Sequence, residues 1–310
     1  MARYASGDGL PGRLSIKGQG ARDKWKEGAK MKPIVIAALL LACSQCVFAQ
    51  GGTFPGMTAA QGLVPNPDLP MYRQTGEQYR SYDFPGTGES IPYRLFVPET
   101  WTPDQSLPIL ITLRAGPSIN NNHRNDNDLV LQARERGYIV ISPLGYRGYA
   151  QPYYGSPYPA ARANGPSTPG AGWSEEDDQR AHQDVINVLH LVAAEYNADT
   201  SRIFMHGQNP SGSAVFHYAA MYPDAISAII VSAGPIVTDN YPFANLAGKV
   251  AVMLLQGTED SAYTRETELQ VTEALRSHGI EAEYHDVPGG EHLTAYLDFA
   301  SEIFDFLDRH

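Results

Sequence analysis

Five short runs constrain this chain more than anything else in it: 107–113 (LPILITL), 138–142 (YIVIS), 202–206 (RIFMH), 226–232 (ISAIIVS) and 250–256 (VAVMLLQ). Each is nearly continuous in apolar and β-branched residues, so neither face of such a strand can sit in water. Strands buried on both faces belong to parallel sheets covered by helices. The stretches between them carry helical spacing. The clearest is 176–198, where Val185, Val188, Leu189, Leu191, Val192 and Tyr196 form one apolar stripe. Further helices are expected over 129–136, 210–221, 266–277 and 294–307. Two alternating runs, 79–84 and 92–97, flank Pro85-Gly86-Thr87-Gly88 and predict an opening hairpin. With a last strand over 282–287, the pattern is an α/β chain with a mostly parallel eight-stranded sheet and helices on both faces. No repeat and no heptad interrupts it.

The N-terminal part follows other rules. Residues 1–30 are polar and without periodicity, as in an upstream extension. From Met31-Lys32 the chain reads as a secretory signal over 31–49: a basic start, the apolar run 34–42, then Val47 and Ala49 at the −3 and −1 positions of a cut. That run is too short to span a bilayer, which takes about 20 residues. The expected location is therefore secreted or periplasmic, with no membrane span. The alternative is a lipoprotein anchored through Leu40-Leu41-Ala42-Cys43. Both cysteines, Cys43 and Cys46, fall inside this segment, so the remainder has no disulfide framework. Residues 50–76, rich in Pro, Gly, Gln and Asn, form a linker or N-terminal arm ahead of a domain over 77–310.

Charge excludes one class of partner. Residues 1–49 hold 8 of the 23 Lys+Arg and 3 of the 34 Asp+Glu, leaving 15 against 31 and a net charge near −16 beyond them. Only one of those 15 cations is a lysine, Lys249. Nucleic acid binding needs clustered cations, so no nucleic acid partner is expected.

Several stretches carry a resemblance to a known superfamily: YRLFVPETW, LPILITLRAG, RERGYIVISPLGYRG, QDVINVLHLVAAEYNADTSRIFMHG, HYAAMYPD, LLQGTED and VPGGEH. Together they resemble the α/β-hydrolases over roughly 77–310. The likeness is to secreted esterases and peptidase-like members in the neighbourhood of prolyl oligopeptidase, dienelactone hydrolase and polyhydroxybutyrate depolymerase. It implies a serine nucleophile on a sharp strand-to-helix turn, then an acid, then a histidine. Asp260, in Gly257-Thr258-Glu259-Asp260, stands at the acid's position, with Glu259 a weaker candidate. His292, in Pro288-Gly289-Gly290-Glu291-His292, stands at the base's.

The nucleophile is where the chain departs from that pattern. Where the superfamily writes G-x-S-x-G, this chain has Gly207-Gln208-Asn209-Pro210-Ser211-Gly212-Ser213. A gapless match puts Asn209 in the serine's place and Ser211 in that of the second glycine. A carboxamide has no proton that a histidine can usefully remove. Pro210 follows, and proline lacks the N–H that this position lends to the oxyanion. Losing one such donor costs roughly 3–4 kcal/mol of transition-state stabilisation. The second oxyanion element, written His-Gly in relatives, reads Arg114-Ala115-Gly116 here. The competing alignment shifts the turn by two residues, making Ser211 the nucleophile and Gly212 the N–H donor.

Two expectations follow. One is a hydrolase-like protein without efficient acyl transfer, a possible pseudoenzyme whose pocket binds a small-molecule ester, peptide or carbohydrate-linked ligand. The other is an active carboxylic-ester or peptide hydrolase using Ser211, His292 and Asp260. An aromatic loop over 146–173, with Tyr153, Tyr154 and Trp173, is expected either to line the pocket or to fold against the domain. The histidines show no metal spacing, and no metal or other cofactor is expected.

Overall fold

In the computed structural model the described residues are 54–113, 128–143, 146, 175–208, 211–234, 241–292 and 294–310. All lie in the compact unit Val47–His310; the other unit, Met1–Cys46, and with it most of the leader segment, is outside the described residues. Eight strands appear in chain order: β1 (Gly76–Asp83), β2 (Ser90–Val97), β3 (Ile109–Leu113), β4 (Ile139–Pro143), β5 (Ile203–Gln208), β6 (Ala228–Ser232), β7 (Ala251–Gly257) and β8 (Ala282–Val287). Five α-helices are described with them: α1 (Asp128–Arg136), α2 (Glu175–Tyr196), α3 (Ser211–Met221), α4 (Arg265–Ser277) and α5 (Ala300–Leu307).

The strands make one sheet in the order β1-β2-β4-β3-β5-β6-β7-β8. β1 and β2 pair antiparallel, as do β2 and β4, and every pairing from β4 to β8 is parallel. The opening hairpin turns through Gly86 and Gly88, both with positive φ, and closes with a bond from Phe84 N–H to the Glu89 carbonyl (2.8 Å). The expected α/β architecture is thus the observed one.

The apolar runs are explained by what each face meets. On β3, Ile109, Ile111 and Leu113 join the core under α2, α3 and α4, while Leu110 points into the core under α1 and α5. β5 repeats this with Ile203 and Met205 against Phe204, and β7 with Val252 and Leu254 against Met253 and Leu255. Successive side chains leave a strand on opposite faces, so a strand with two covers needs apolar residues at every position.

Residues ahead of β1 also belong to the core. Phe54, Met57 and Leu63 are buried with the α2 side chains. Their backbone is tied to that helix: Ala60 N–H donates to Asn187 Oδ1 (2.9 Å), and His190 Nε2 to the Met57 carbonyl (2.8 Å). The guanidinium of Arg80 on β1 pairs with Glu195 (2.7 Å) and reaches the hydroxyl of Tyr196 (2.9 Å).

One element differs from expectation. The helix predicted over 294–307 begins only at Ala300, and 294–299 is a series of turns. Phe299 has φ −121° and ψ 18°, outside helical geometry, and its ring packs on His285 of β8 (5.1 Å). Helical periodicity alone does not register that interruption.

Candidate active site

Strands β5, β7 and β8 end at the same edge of the sheet, where open α/β sheets hold their ligands. Each brings one functional segment there, and small residues let the segments approach. A Cβ added at Gly257, the last residue of β7, would lie 2.1 Å from the Gly290 carbonyl oxygen, so the turn after β7 and the turn after β8 touch backbone to backbone. Thr258 N–H donates to the Val287 carbonyl (3.0 Å), Glu259 N–H to that of Gly290 (3.0 Å), and Gly289 N–H to Thr258 Oγ1 (2.8 Å).

That lacing brings Asp260 to His292. His292 Nδ1 donates to Asp260 Oδ2 at 2.8 Å. The carboxylate side chain has no exposed surface, whereas that of His292 is 23% exposed. The other oxygen, Asp260 Oδ1, accepts from the N–H groups of Ala262 (2.7 Å) and Tyr263 (3.2 Å). Burial by itself would raise the Asp260 pKa, but these donors and the nearby imidazole outweigh it and hold the acid below the usual carboxylate range. An ionised Asp260 keeps the proton on Nδ1, which leaves Nε2 as the atom directed to chemistry. Glu259 is exposed and takes no part.

Two further residues hold the histidine. Gln208, buried at the end of β5, donates Nε2 to the His292 carbonyl (2.9 Å). The ring of Tyr263 stacks on the imidazole, with centroids 5.7 Å apart and planes at 15°. Neither was singled out by the sequence. Gln208 sits inside the motif, yet only the fold shows that its amide reaches a residue 84 positions away.

At the strand-to-helix turn, Ser211 opens α3 and Gly207 lies within β5. A Cβ at Gly207 would sit 2.3 Å from the Ser211 carbonyl oxygen and 2.6 Å from its carbonyl carbon. Residue 207 must therefore be glycine for the chain to double back here. The Ser211 hydroxyl is fully buried and has no hydrogen-bond partner. Asn209, Pro210, Ala115, Gly116, Tyr153, Tyr154 and Trp173 lie outside the described residues. Of the aromatic loop only Tyr146 is described. It is buried against Phe84 (5.3 Å) and accepts a hydrogen bond from Arg180 (3.2 Å).

His206, one strand position before Gly207, is buried and its Nε2 meets Ser232 Oγ (3.0 Å); burial pushes its pKa down to about 4. Among the described residues no group of three or more His, Cys, Asp or Glu side chains could hold a metal ion. No described helix is long and apolar enough to cross a membrane.

The strand order, the two-sided helical cover and an acid–histidine pair beyond the strand ends define an α/β-hydrolase fold, and solved structures agree. A thermostable esterase superposes with a TM-score of 0.56 at 18% identity, over 75% of this chain and 62% of that one. An S-formylglutathione hydrolase from Agrobacterium tumefaciens gives 0.56 at 15%, over 75% of this chain and 94% of that one. The acylaminoacyl peptidase of Pyrococcus horikoshii gives 0.52 at 14%, over 78% of this chain and 43% of that one. The chain thus spans less than two thirds of the esterase and less than half of the peptidase. No protein-family model and no curated protein matches it by sequence.

Proposed function

We propose that this chain is an exported protein of the esterase/peptidase-like serine hydrolases in which Asn209 occupies the nucleophile position. Its pocket then binds a small ester, peptide or carbohydrate-linked ligand with little or no turnover. The carrying observation is the contact between Gly207 and Ser211. In a turn that doubles back on itself, the residues that collide are those equally distant from its tip. The midpoint of 207 and 211 is 209. A turn shifted by two residues would instead press 209 against 213. The buried Ser211 hydroxyl supports the same reading, because a nucleophile must be accessible and within reach of its base.

In this reading Asp260 and His292 keep their geometry for binding. Nε2 of His292 is one hydrogen-bonding group for the ligand, and the Asn209 amide supplies a donor and an acceptor where a serine would have attacked. Pro210 supplies no N–H to a developing oxyanion. Export rests on the 31–49 segment, and N-terminal sequencing of the secreted product checks it, with a start at Gln50 expected.

Fluorophosphonate labelling and aryl-ester hydrolysis of the mature protein test the proposal, beside Asn209→Ser and Ser211→Ala. The expected result is no labelling of the unmodified protein and only weak activity in Asn209→Ser. Strong labelling that disappears in Ser211→Ala would refute the reading and establish Ser211 as the nucleophile.

A further inference from the structure

Glu268 is a buried acid that the Asp260–His292 pair does not use. It lies in the first turn of α4 with no exposed surface. Its Oε1 accepts from the N–H of Gly234 at 2.8 Å, and its Oε2 has no hydrogen-bond partner. Leaving a carboxylate oxygen unmatched in the interior is costly, and a neutral acid is what such surroundings accommodate. Burial raises the Glu268 pKa to about 8, the Gly234 N–H opposing and the charge of Asp260 adding to it.

What Glu268 holds is the exit of β6. Ala233 and Gly234 follow one another with φ 56° and 99°, a left-handed pair that strains the alanine. Two bonds keep this exit in place: Ala233 N–H to the Leu255 carbonyl (3.0 Å) and Gly234 N–H to Glu268. The exit is also a platform. A Cβ on Gly234 would lie 2.6–2.7 Å from three ring carbons of Tyr263, so the ring rests directly on that glycine. The same ring stacks on His292. Gln256 Nε2 also donates to the Tyr263 carbonyl (3.2 Å).

We propose that Glu268 is a positioning residue for His292: its carboxyl group clamps Gly234, Gly234 seats the Tyr263 ring, and that ring sets the plane of the imidazole. The titratable groups facing Glu268 are Asp260 and Tyr263 from the loop before α4 and Tyr284 from β8. All three are acids, so none compensates a negative charge on Glu268. Ionising Glu268 places that charge beside Asp260 and tightens the bond to the Gly234 N–H, so the seat of the Tyr263 ring shifts. The imidazole environment thereby becomes sensitive to alkaline pH through a group that never touches it. This holds whichever residue occupies the nucleophile position.

The test is a pH titration of the full chain, following the His292 ring resonances by nuclear magnetic resonance from pH 6 to 10. The unmodified protein is expected to show an inflection near pH 8, well below the tyrosine range. Glu268→Gln keeps an acceptor for Gly234 and cannot ionise. It should retain the neutral-pH His292 spectrum and lose the inflection. Tyr263→Leu should lose the inflection while Glu268 still titrates. An inflection that survives Glu268→Gln, or one that survives Tyr263→Leu, overturns the proposal, as does its absence from the unmodified protein. Because the readout is a ring resonance, it is independent of the labelling result that decides between Asn209 and Ser211.

Discussion

Replacing Gly207 with alanine perturbs the turn on which the functional reading depends. The new Cβ would lie 2.3 Å from the Ser211 carbonyl oxygen, 2.6 Å from its carbonyl carbon and 2.9 Å from Gly212 N. Ordinary contact begins near 3.4 Å, so the two backbones must part by about 1 Å. Neither side yields easily. Gly207 is in register with Leu113 on β3 and Val231 on β6, in the middle of the sheet, and Ser211 opens a helix buried along nearly its whole length. Overpacking a rigid core costs about 1–3 kcal/mol, and a backbone-to-backbone clash belongs at the upper end, about 3 kcal/mol. For a domain of this size each kcal/mol moves the thermal midpoint by about 2–4 °C, so a fall of about 6–12 °C is expected. Thermal unfolding followed by circular dichroism measures it. A loss below about 0.5 kcal/mol would mean that residues 207 and 211 are not in contact, and the argument centring the turn on Asn209 would fail with it.

Gly257→Ala should be similarly severe, about 2–3 kcal/mol, because its Cβ would lie 2.1 Å from the Gly290 carbonyl oxygen and separate the turns carrying Asp260 and His292. The shared proton of that pair, read as a far-downfield resonance, should weaken or vanish; an unchanged signal would show that the two turns do not depend on each other. Gln208→Ala removes the donor to the His292 carbonyl and should cost about 1 kcal/mol in denaturant unfolding. Gln208→Glu, which sets an acceptor against an acceptor, should cost more, and equal losses would argue against the bond. Acid should destabilise the fold through His206. Its folded pKa of about 4 lies below the ordinary 6.5, so the unfolded chain binds the extra proton and stability declines as pH falls from about 6.5 to about 4. The loss from this residue alone is about 3 kcal/mol, and His206→Gln should flatten unfolding stability across that window; an unchanged slope would place the proton elsewhere.

The acid and the histidine that the structure brings together are legible in the sequence. Asp260 and His292 each follow a recognisable strand by a few residues, and a strand's C-terminal end is where an α/β sheet exposes side chains. Gln208 and Tyr263 were not legible. A glutamine beside a glycine and a tyrosine in a polar loop carry no periodic signal, and their roles come from partners 84 and 29 positions away in the chain. The late start of α5 escaped for a related reason: Phe299 satisfies helical spacing but is drawn onto His285 of a neighbouring strand.

By itself the sequence determined that a parallel sheet would form with cover on both faces, because runs such as LPILITL and VAVMLLQ leave no side for water. It also determined which residue types follow the strands, an aspartate beyond β7 and a histidine beyond β8 among them. Tertiary structure decided the rest: that β4 slips between β2 and β3, that Gly207 meets Ser211 and Gly257 meets Gly290, and that Tyr263 rests on Gly234 against His292. Those are close approaches set by the path of the backbone, across one tight turn for Gly207 and between distant segments for Gly257 and Gly234. A sequence shows only that a glycine is present, while its necessity appears once another backbone lies where its side chain would be.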